Sequence, residues 1–126
     1  MKSMIILFVS DQTRSKKFYK SILSIDVKLD VPGMTEFPLS NEISLGLMLG
    51  ENIVNILKNT IPDPKEAKGI PRCELYLFVD NPSECLQLLE NNGGKIVSQV
   101  ELRSWGDNVG YGLDPDGHLI AFAKKQ

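Results

Sequence analysis

Asp114-Pro115-Asp116-Gly117-His118-Leu119-Ile120-Ala121-Phe122 encodes a forced reversal of the chain followed by a strand. Pro115 presets φ, Gly117 accepts positive φ without a Cβ clash, and the two aspartates can hydrogen-bond their own backbone. Val109 to Leu113 then forms one arm of a hairpin and His118 to Lys124 the other. The second arm alternates Leu119, Ala121 and Ala123 against Ile120 and Phe122, apolar on both faces, which predicts a strand covered on both sides. Trp105 lies in the loop feeding this hairpin, between Arg103-Ser104 and Gly106-Asp107. A large ring serves a ligand better there than it serves a turn.

Working outward from the hairpin, the same grammar occurs twice. Met4 to Val9 is a continuous apolar strand closed by Ser10-Asp11, and Thr13 to Leu23 places Phe18, Tyr19, Ile22 and Leu23 on one helical face. Cys73 to Val79 is again a strand, closed by Asp80-Asn81, and Pro82 to Asn92 is again a helix, carrying Cys85, Leu86, Leu88 and Leu89. Its start is well signalled: Asn81 can cap, Pro82 suits the first helical position, Glu84 stands where a capping box wants a carboxylate, and Gly93-Gly94 ends it. Each helix precedes three short strands. These are Val27 to Val31, Thr35 to Leu39 and Ile43 to Leu49 in the first half, and Lys95 to Leu102, Val109 to Leu113 and Leu119 to Lys124 in the second.

The chain therefore reads as one domain over 1–126, an internal duplication of a βαβββ unit: module one about 1–50, a connector about 51–72 and module two about 73–126. In the connector a short helix is expected over Gly50 to Asn59, through Ile53, Val54, Ile56 and Leu57. Pro62, Pro64, Gly69 and Pro71 predict an exposed loop for the remainder.

Composition narrows the function classes. A 126-residue chain with 42% hydrophobic and 24% charged residues is long enough to bury a core without covalent staples. Its net charge of -2 gives no electrostatic footprint for nucleic acid or for an anionic membrane. The N-terminal apolar run is too short to span a bilayer and lacks a small-residue cleavage site, so it is read as a first strand. Cys73 and Cys85 are too few for a disulfide framework and lack metal-site spacing; they are read as buried thiols of a reduced, cytoplasmic protein.

The Val9-Ser10-Asp11 opening with Ser15 and Phe18-Tyr19 on the first helix, the Trp105-Gly106 loop and the Asp114 to Phe122 ending together resemble the vicinal oxygen chelate superfamily, in particular its glyoxalase and bleomycin-resistance group. The resemblance covers nearly the whole chain. It implies an α+β fold of two paired βαβββ modules forming a curved mixed sheet with a cleft, and a homodimer. It leaves function open, because lyases, isomerases, dioxygenases, thiol transferases and metal-free antibiotic-binding proteins share the scaffold.

The resemblance also implies metal-ligand positions on the first and last strands of each module. These fall on Met4, on the strand Ile43 to Leu49, on Glu74 and on Ala121. A thioether, a strand without His, Asp or Glu, one carboxylate and a methyl group do not make a catalytic divalent site, which keeps about three protein ligands. No metal and no cofactor are therefore expected. His118, the only histidine, follows the turn glycine and is read as a residue at the strand start, and neither cysteine has an adjacent cation to activate it. Glu74 is the one candidate for proton transfer, its alternative being an edge carboxylate beside Arg72.

What is left is an apolar and aromatic ligand surface, with Phe37 and Met48, beside Leu47, from module one and Tyr76, Arg103, Trp105 and Tyr111 from module two. The expected function is non-catalytic capture of a hydrophobic or planar small molecule. A glyoxalase-type lyase or thiol transferase with a degenerate metal site is the alternative, and a ligand-sensing partner module a third reading.

Overall fold

The first strand forms because Met4 to Val9 is wholly apolar, half of it β-branched, without a breaker, and the computed structural model, which describes residues 1–126, begins it at Ser3. The order is β1 (Ser3–Val9), α1 (Gln12–Leu23), β2 (Leu29–Val31), β3 (Met34–Pro38), β4 (Ile43–Leu49), α2 (Gly50–Ile56), a 3-10 turn (Pro64–Ala67), β5 (Glu74–Phe78), α3 (Pro82–Asn91), β6 (Lys95–Leu102), β7 (Asp107–Leu113) and β8 (Leu119–Lys125). The result is α+β, with two four-stranded mixed sheets ordered β1-β4-β3-β2 and β5-β8-β7-β6. In each sheet the first and last strands of the module run parallel and the remaining pairs antiparallel. The chain divides into two compact units, Met1–Lys68 and Gly69–Gln126, so most of the connector belongs with module one.

In the first unit Asp11 caps α1, its carboxylate accepting from the Arg14 amide at 2.9 Å. The Gln12 side chain ties the helix to the β2–β3 turn: it donates to Val31 O at 2.7 Å and Thr35 Oγ1 at 2.9 Å, and accepts from the Gly33 amide at 2.7 Å. That places α1 over the face bearing Leu7, Val9, Thr35, Phe37, Leu45 and Leu47, all buried, against Phe18, Tyr19 and Ile22. The opposite face carries Met4, Ile6, Met34, Glu36, Gly46 and Met48. Helix α2 stops at Ile56, earlier than its apolar residues predict. Lys58 and Asn59 take positive φ, and the Asn59 amide turns back to Val54 O at 2.9 Å.

In the second unit Asn81 caps α3, accepting from the Glu84 amide at 3.2 Å, with Pro82 at the first position. Gly93, at φ +98°, ends the helix, and the Gly94 amide closes onto Leu89 O at 2.9 Å. Helix α3 sits directly on β7, because Gly110 and Gly112 leave room for it. A Cβ on Gly110 would stand 2.3 Å from Leu86 Cδ1, and one on Gly112 would stand 2.7 Å from Leu89 Cδ1. Ile120 and Phe122 of β8 are buried on this face, Ala121 and Ala123 on the other, so the strand is covered on both sides as its sequence requires.

The reversal before β8 is built as Asp114-Pro115-Asp116-Gly117 predicts. Asp114 Oδ1 accepts from the Asp116 amide at 2.9 Å and the His118 amide at 2.8 Å, and Gly117 takes φ +89°. Cys73 departs from the expectation of a buried thiol. It precedes the β5 ladder, which starts at Glu74, and is exposed, whereas Cys85 on α3 is half-buried.

Candidate functional site

Strand alternation decides what module two offers. Leu75 of β5 is buried with the helix-side core, so Tyr76 and Phe78 project from alternating faces with respect to it, onto the side α3 does not cover. Tyr76 lies opposite Ala121 and Phe78 opposite Ala123; across β8 those alanines face Tyr111 and Val109. Val109, Ala121 and Ala123 form a buried floor of short side chains, with Tyr76 and Tyr111 packed against it.

The β6–β7 hairpin brings Trp105 to the same place. Gly106 at φ +98° tightens the loop, the Arg103 amide donates to Asp107 O at 2.8 Å, and the Gly106 amide donates to Arg103 O at 3.0 Å. Trp105 Nε1 donates to Tyr76 Oη at 2.8 Å, and Tyr76 Oη donates to Asp107 Oδ2 at 2.7 Å. An indole, a phenol and a carboxylate are thus joined in one directed chain. The Phe78 ring meets Tyr76 edge to face, centroids 5.4 Å apart, and the Lys125 ammonium lies 5.3 Å from its centre. Trp105 is 56% and Phe78 58% exposed, so both rings present large apolar surfaces to solvent while their neighbours are fixed beneath them.

Burial pushes the Tyr76 phenol above its ordinary value of 10.0, and Asp107 adds to the rise while the Trp105 N–H opposes it. Tyr76 is therefore a proton donor at neutral pH, which fixes the direction of the chain toward Asp107.

Arg103, expected as a ligand group, is committed elsewhere. The register of β6 against β7 slips between Ser98 and Glu101, and the guanidinium fills the gap. It donates to Val109 O at 2.9 and 3.1 Å, Ser98 Oγ at 2.8 Å and Gln99 O at 3.1 Å, and stacks 5.1 Å from the Tyr111 centroid. Its role is to lock the hairpin that carries Trp105. Phe37 is fully buried beneath α1, as is Leu47, on the face opposite Met48, and presents nothing to a ligand. Met48 does lie on the uncovered face of its sheet, opposite Met34.

Register also places the divalent-metal positions. Ile6 faces Gly46 in the first sheet as Tyr76 faces Ala121 in the second, so the last-strand position of module one is Gly46. The four positions are then Met4, Gly46, Glu74 and Ala121: a thioether, a hydrogen, one exposed carboxylate and a buried methyl. No three His, Cys, Asp or Glu side chains converge anywhere in the chain. This donor set does not fit a hard divalent ion. Glu74, at the exposed start of β5, has no partner that would mark it as a base, and His118 sits in the turn before β8, as its position after Gly117 predicts.

A family model described as a glyoxalase-like domain matches residues 2–125. The chain belongs to the glyoxalase-like domain family. Its fold is shared with a glyoxalase-related enzyme from Fulvimarina pelagi, at 20% identity and TM-score 0.83 over 99% of this chain and 88% of that one. A glyoxalase/bleomycin resistance protein/dioxygenase family enzyme from Burkholderia phytofirmans PsJN superposes with TM-score 0.82 at 11% identity, covering 98% of each chain. A hypothetical protein from S. aureus gives TM-score 0.80 at 16% identity over 98% of this chain and 93% of its own. No curated protein matches the sequence. At such identities the glyoxalase-like fold is shared and the chemistry is not thereby transferred.

Sequence reading missed Phe78, Asp107, Met34 and Glu36. Phe78 was recoverable, since it stands two residues from Tyr76 on one strand. Asp107 carried no signal in the sequence: its partner Tyr76 is 31 residues away. Met34 fell outside the strand expected to begin at Thr35, and Glu36, which faces Gly46 and pairs with Lys28 at 3.7 Å, gave no pattern of its own.

Proposed function

We propose that this chain is a metal-free small-molecule binding protein of the bleomycin-resistance type, which sequesters a hydrophobic or planar ligand against the aromatic face of module two. The observation that carries the reading is the Trp105–Tyr76–Asp107 chain. Holding an exposed indole by its N–H lowers the entropy lost when a flat ligand stacks on it, and leaves the ring face free. Phe78 extends the platform and Tyr111 and Tyr76 supply its apolar base. Capture requires affinity and no chemistry, which agrees with metal positions occupied by Met4, Gly46 and Ala121.

The reading includes a homodimer. Ile5 and Ile43 stand exposed at the end of the β1–β4 pair that α1 leaves open, and a two-fold partner is the commonest cover for such a surface. It also includes a cytoplasmic setting and a role in antibiotic resistance. No helix is long and apolar enough to cross a membrane, and both cysteines are free.

Titration of planar aromatic compounds against the emission of the single tryptophan tests the proposal. Saturable quenching or a spectral shift is expected for at least one planar class. Emission unmoved by flat cationic, neutral and anionic aromatics alike, while non-aromatic compounds bind, would remove Trp105 from the site.

A further inference from the structure

Three of the four methionines, Met4 on β1, Met34 on β3 and Met48 on β4, come from separate strands to one face of the first sheet. Met34 and Met48 are directly opposed across the β3–β4 pair, and Met4 is opposed to Ser44, one step along β4 on the other side of Gly46. Gly46 is the centre of the arrangement. The point where a Cβ would stand on Gly46 is 2.8 Å from Met4 Sδ, 3.1 Å from Ile6 Cγ1 and 3.4 Å from Met34 Sδ, so two sulfurs approach the same spot from opposite diagonals of the sheet, with Ile6 beside them. Met4 is 43% exposed, and Met34 and Met48 are half-buried. The only carboxylate on this face close to Gly46, that of Glu36, is engaged by Lys28 at 3.7 Å.

We propose that Met4, Met34 and Met48 form a thioether site for a soft monovalent cation of the Cu(I) or Ag(I) class. Thioethers are neutral, polarisable donors that select such ions over Zn, Mg or Mn. The unbranched methionine side chain has three rotatable bonds, so the Met4 and Met34 sulfurs beside Gly46 and that of Met48, paired with Met34 across β3–β4, can turn onto one ion without backbone movement. Glycine at position 46 is what allows the gathering, because any Cβ would occupy the space the sulfurs share. The site lies wholly within the first unit and does not depend on the aromatic platform of the second.

The test is a silver nitrate titration of protein carrying 13C-labelled methionine methyl groups, followed by NMR. Cys73→Ser and Cys85→Ala are introduced together so that thiols do not compete for silver. The methyl signals of Met4, Met34 and Met48 should shift together and saturate at one ion per chain, while that of Met1, fully exposed at the terminus, should stay still. Met4→Leu and Met34→Leu keep volume and apolar character, and each should weaken binding by about tenfold or more, given that even outer partners of metal ligands are worth that much. Unmoved methyl signals, four signals drifting in parallel without saturation, or Leu variants that bind as tightly as the parent would each overturn the proposal. Cu(I) under anaerobic conditions should reproduce the silver result, and Zn(II) should move none of the three signals.

Discussion

The two modules repeat one topology but finish their uncovered sheet faces in opposite ways. Module one places Met4, Ile6, Met34 and Met48 around Gly46, a surface of flexible, weakly directional groups. Module two places Tyr76, Phe78 and Tyr111 around Ala121 and Ala123; Tyr76 is fixed by hydrogen bonds from Trp105 and to Asp107, Phe78 packs edge to face on Tyr76, and Arg103 stacks on Tyr111. The helix-covered faces, by contrast, are alike: fully buried Phe37, Leu45 and Leu47 in one, Ile120, Phe122, Leu86 and Leu89 in the other. The difference teaches that one topology constrains volume and pattern on the packed face and leaves the other face free to carry different chemistry.

The largest effects should come from the faces that are alike. Phe37→Ala and Phe122→Ala each remove a fully buried ring and should cost about 3 to 5 kcal/mol in denaturant unfolding. Phe78→Ala, on an exposed ring, should fall within about 0.5 kcal/mol of the parent. A Phe78 variant as damaging as Phe122→Ala would break the division into packed and uncovered faces.

Arg103→Met should rank next, at about 1 to 3 kcal/mol, because Val109 O loses its charged donor within a half-buried hairpin. It should also loosen Trp105, read as a drop in tryptophan anisotropy without loss of the fold.

A paired glycine substitution sharpens the contrast further. Gly110→Ala drives a methyl group onto Leu86 Cδ1 and should cost about 1 to 3 kcal/mol. Gly46→Ala meets the flexible side chain of Met4 at 2.8 Å and Ile6 Cγ1 at 3.1 Å, a milder overlap, and should cost less, about 1 kcal/mol. The same variant should abolish silver binding. Equal costs at the two positions would mean that the module-one face is as rigid as the helix interface.

The smallest expected difference lies in pH dependence. In module one, hydrogen bonds from Lys16 and then Thr35 hold the Asp30 carboxyl below its ordinary 3.8. Its contribution is present above 3.8 and is lost as pH falls through the lower folded value. In module two, burial raises Tyr76 above 10.0, so its contribution is present below 10.0 and is lost as pH rises through the higher folded value. Plotted against pH, the melting temperature of Asp30→Asn should therefore lie below that of the parent at neutral pH and converge with it at the acid end, and that of Tyr76→Phe should lie below and converge at the alkaline end.

How much of this could be read in advance follows from which interactions are local. The Asp114 to Gly117 turn, the Asn81 cap and the end of α3 at Gly93 are set by neighbours in sequence, and all three stand in the structure as their residues predict. The β4 and β6 strands keep their expected bounds because turn residues flank them. An aromatic residue in a strand gives no indication of which face the helix covers, so the burial of Phe37 is not legible in advance; the covered face is fixed by Gln12 reaching Thr35. The partners of Arg103 depend on a register slip invisible in composition. Trp105 was legible as exposed from its polar neighbours, but its hydrogen bond to Tyr76 spans 29 residues and is a product of the fold.

The most direct test of ligand capture on module two is a thermal-shift comparison of the parent chain and Trp105→Ala across a panel of planar aromatic compounds. At a hundredfold excess over its dissociation constant, a ligand adds about 2.7 kcal/mol of stability, a rise on the order of ten degrees for a domain of this size. Without ligand, Trp105→Ala should melt close to the parent, since the ring is 56% exposed. With ligand, its shift should collapse, because removing a central aromatic anchor weakens binding by about 2 to 4 kcal/mol. Equal ligand-induced shifts in the two proteins would contradict the account and leave the Trp105–Tyr76–Asp107 chain as a brace for the β6–β7 hairpin.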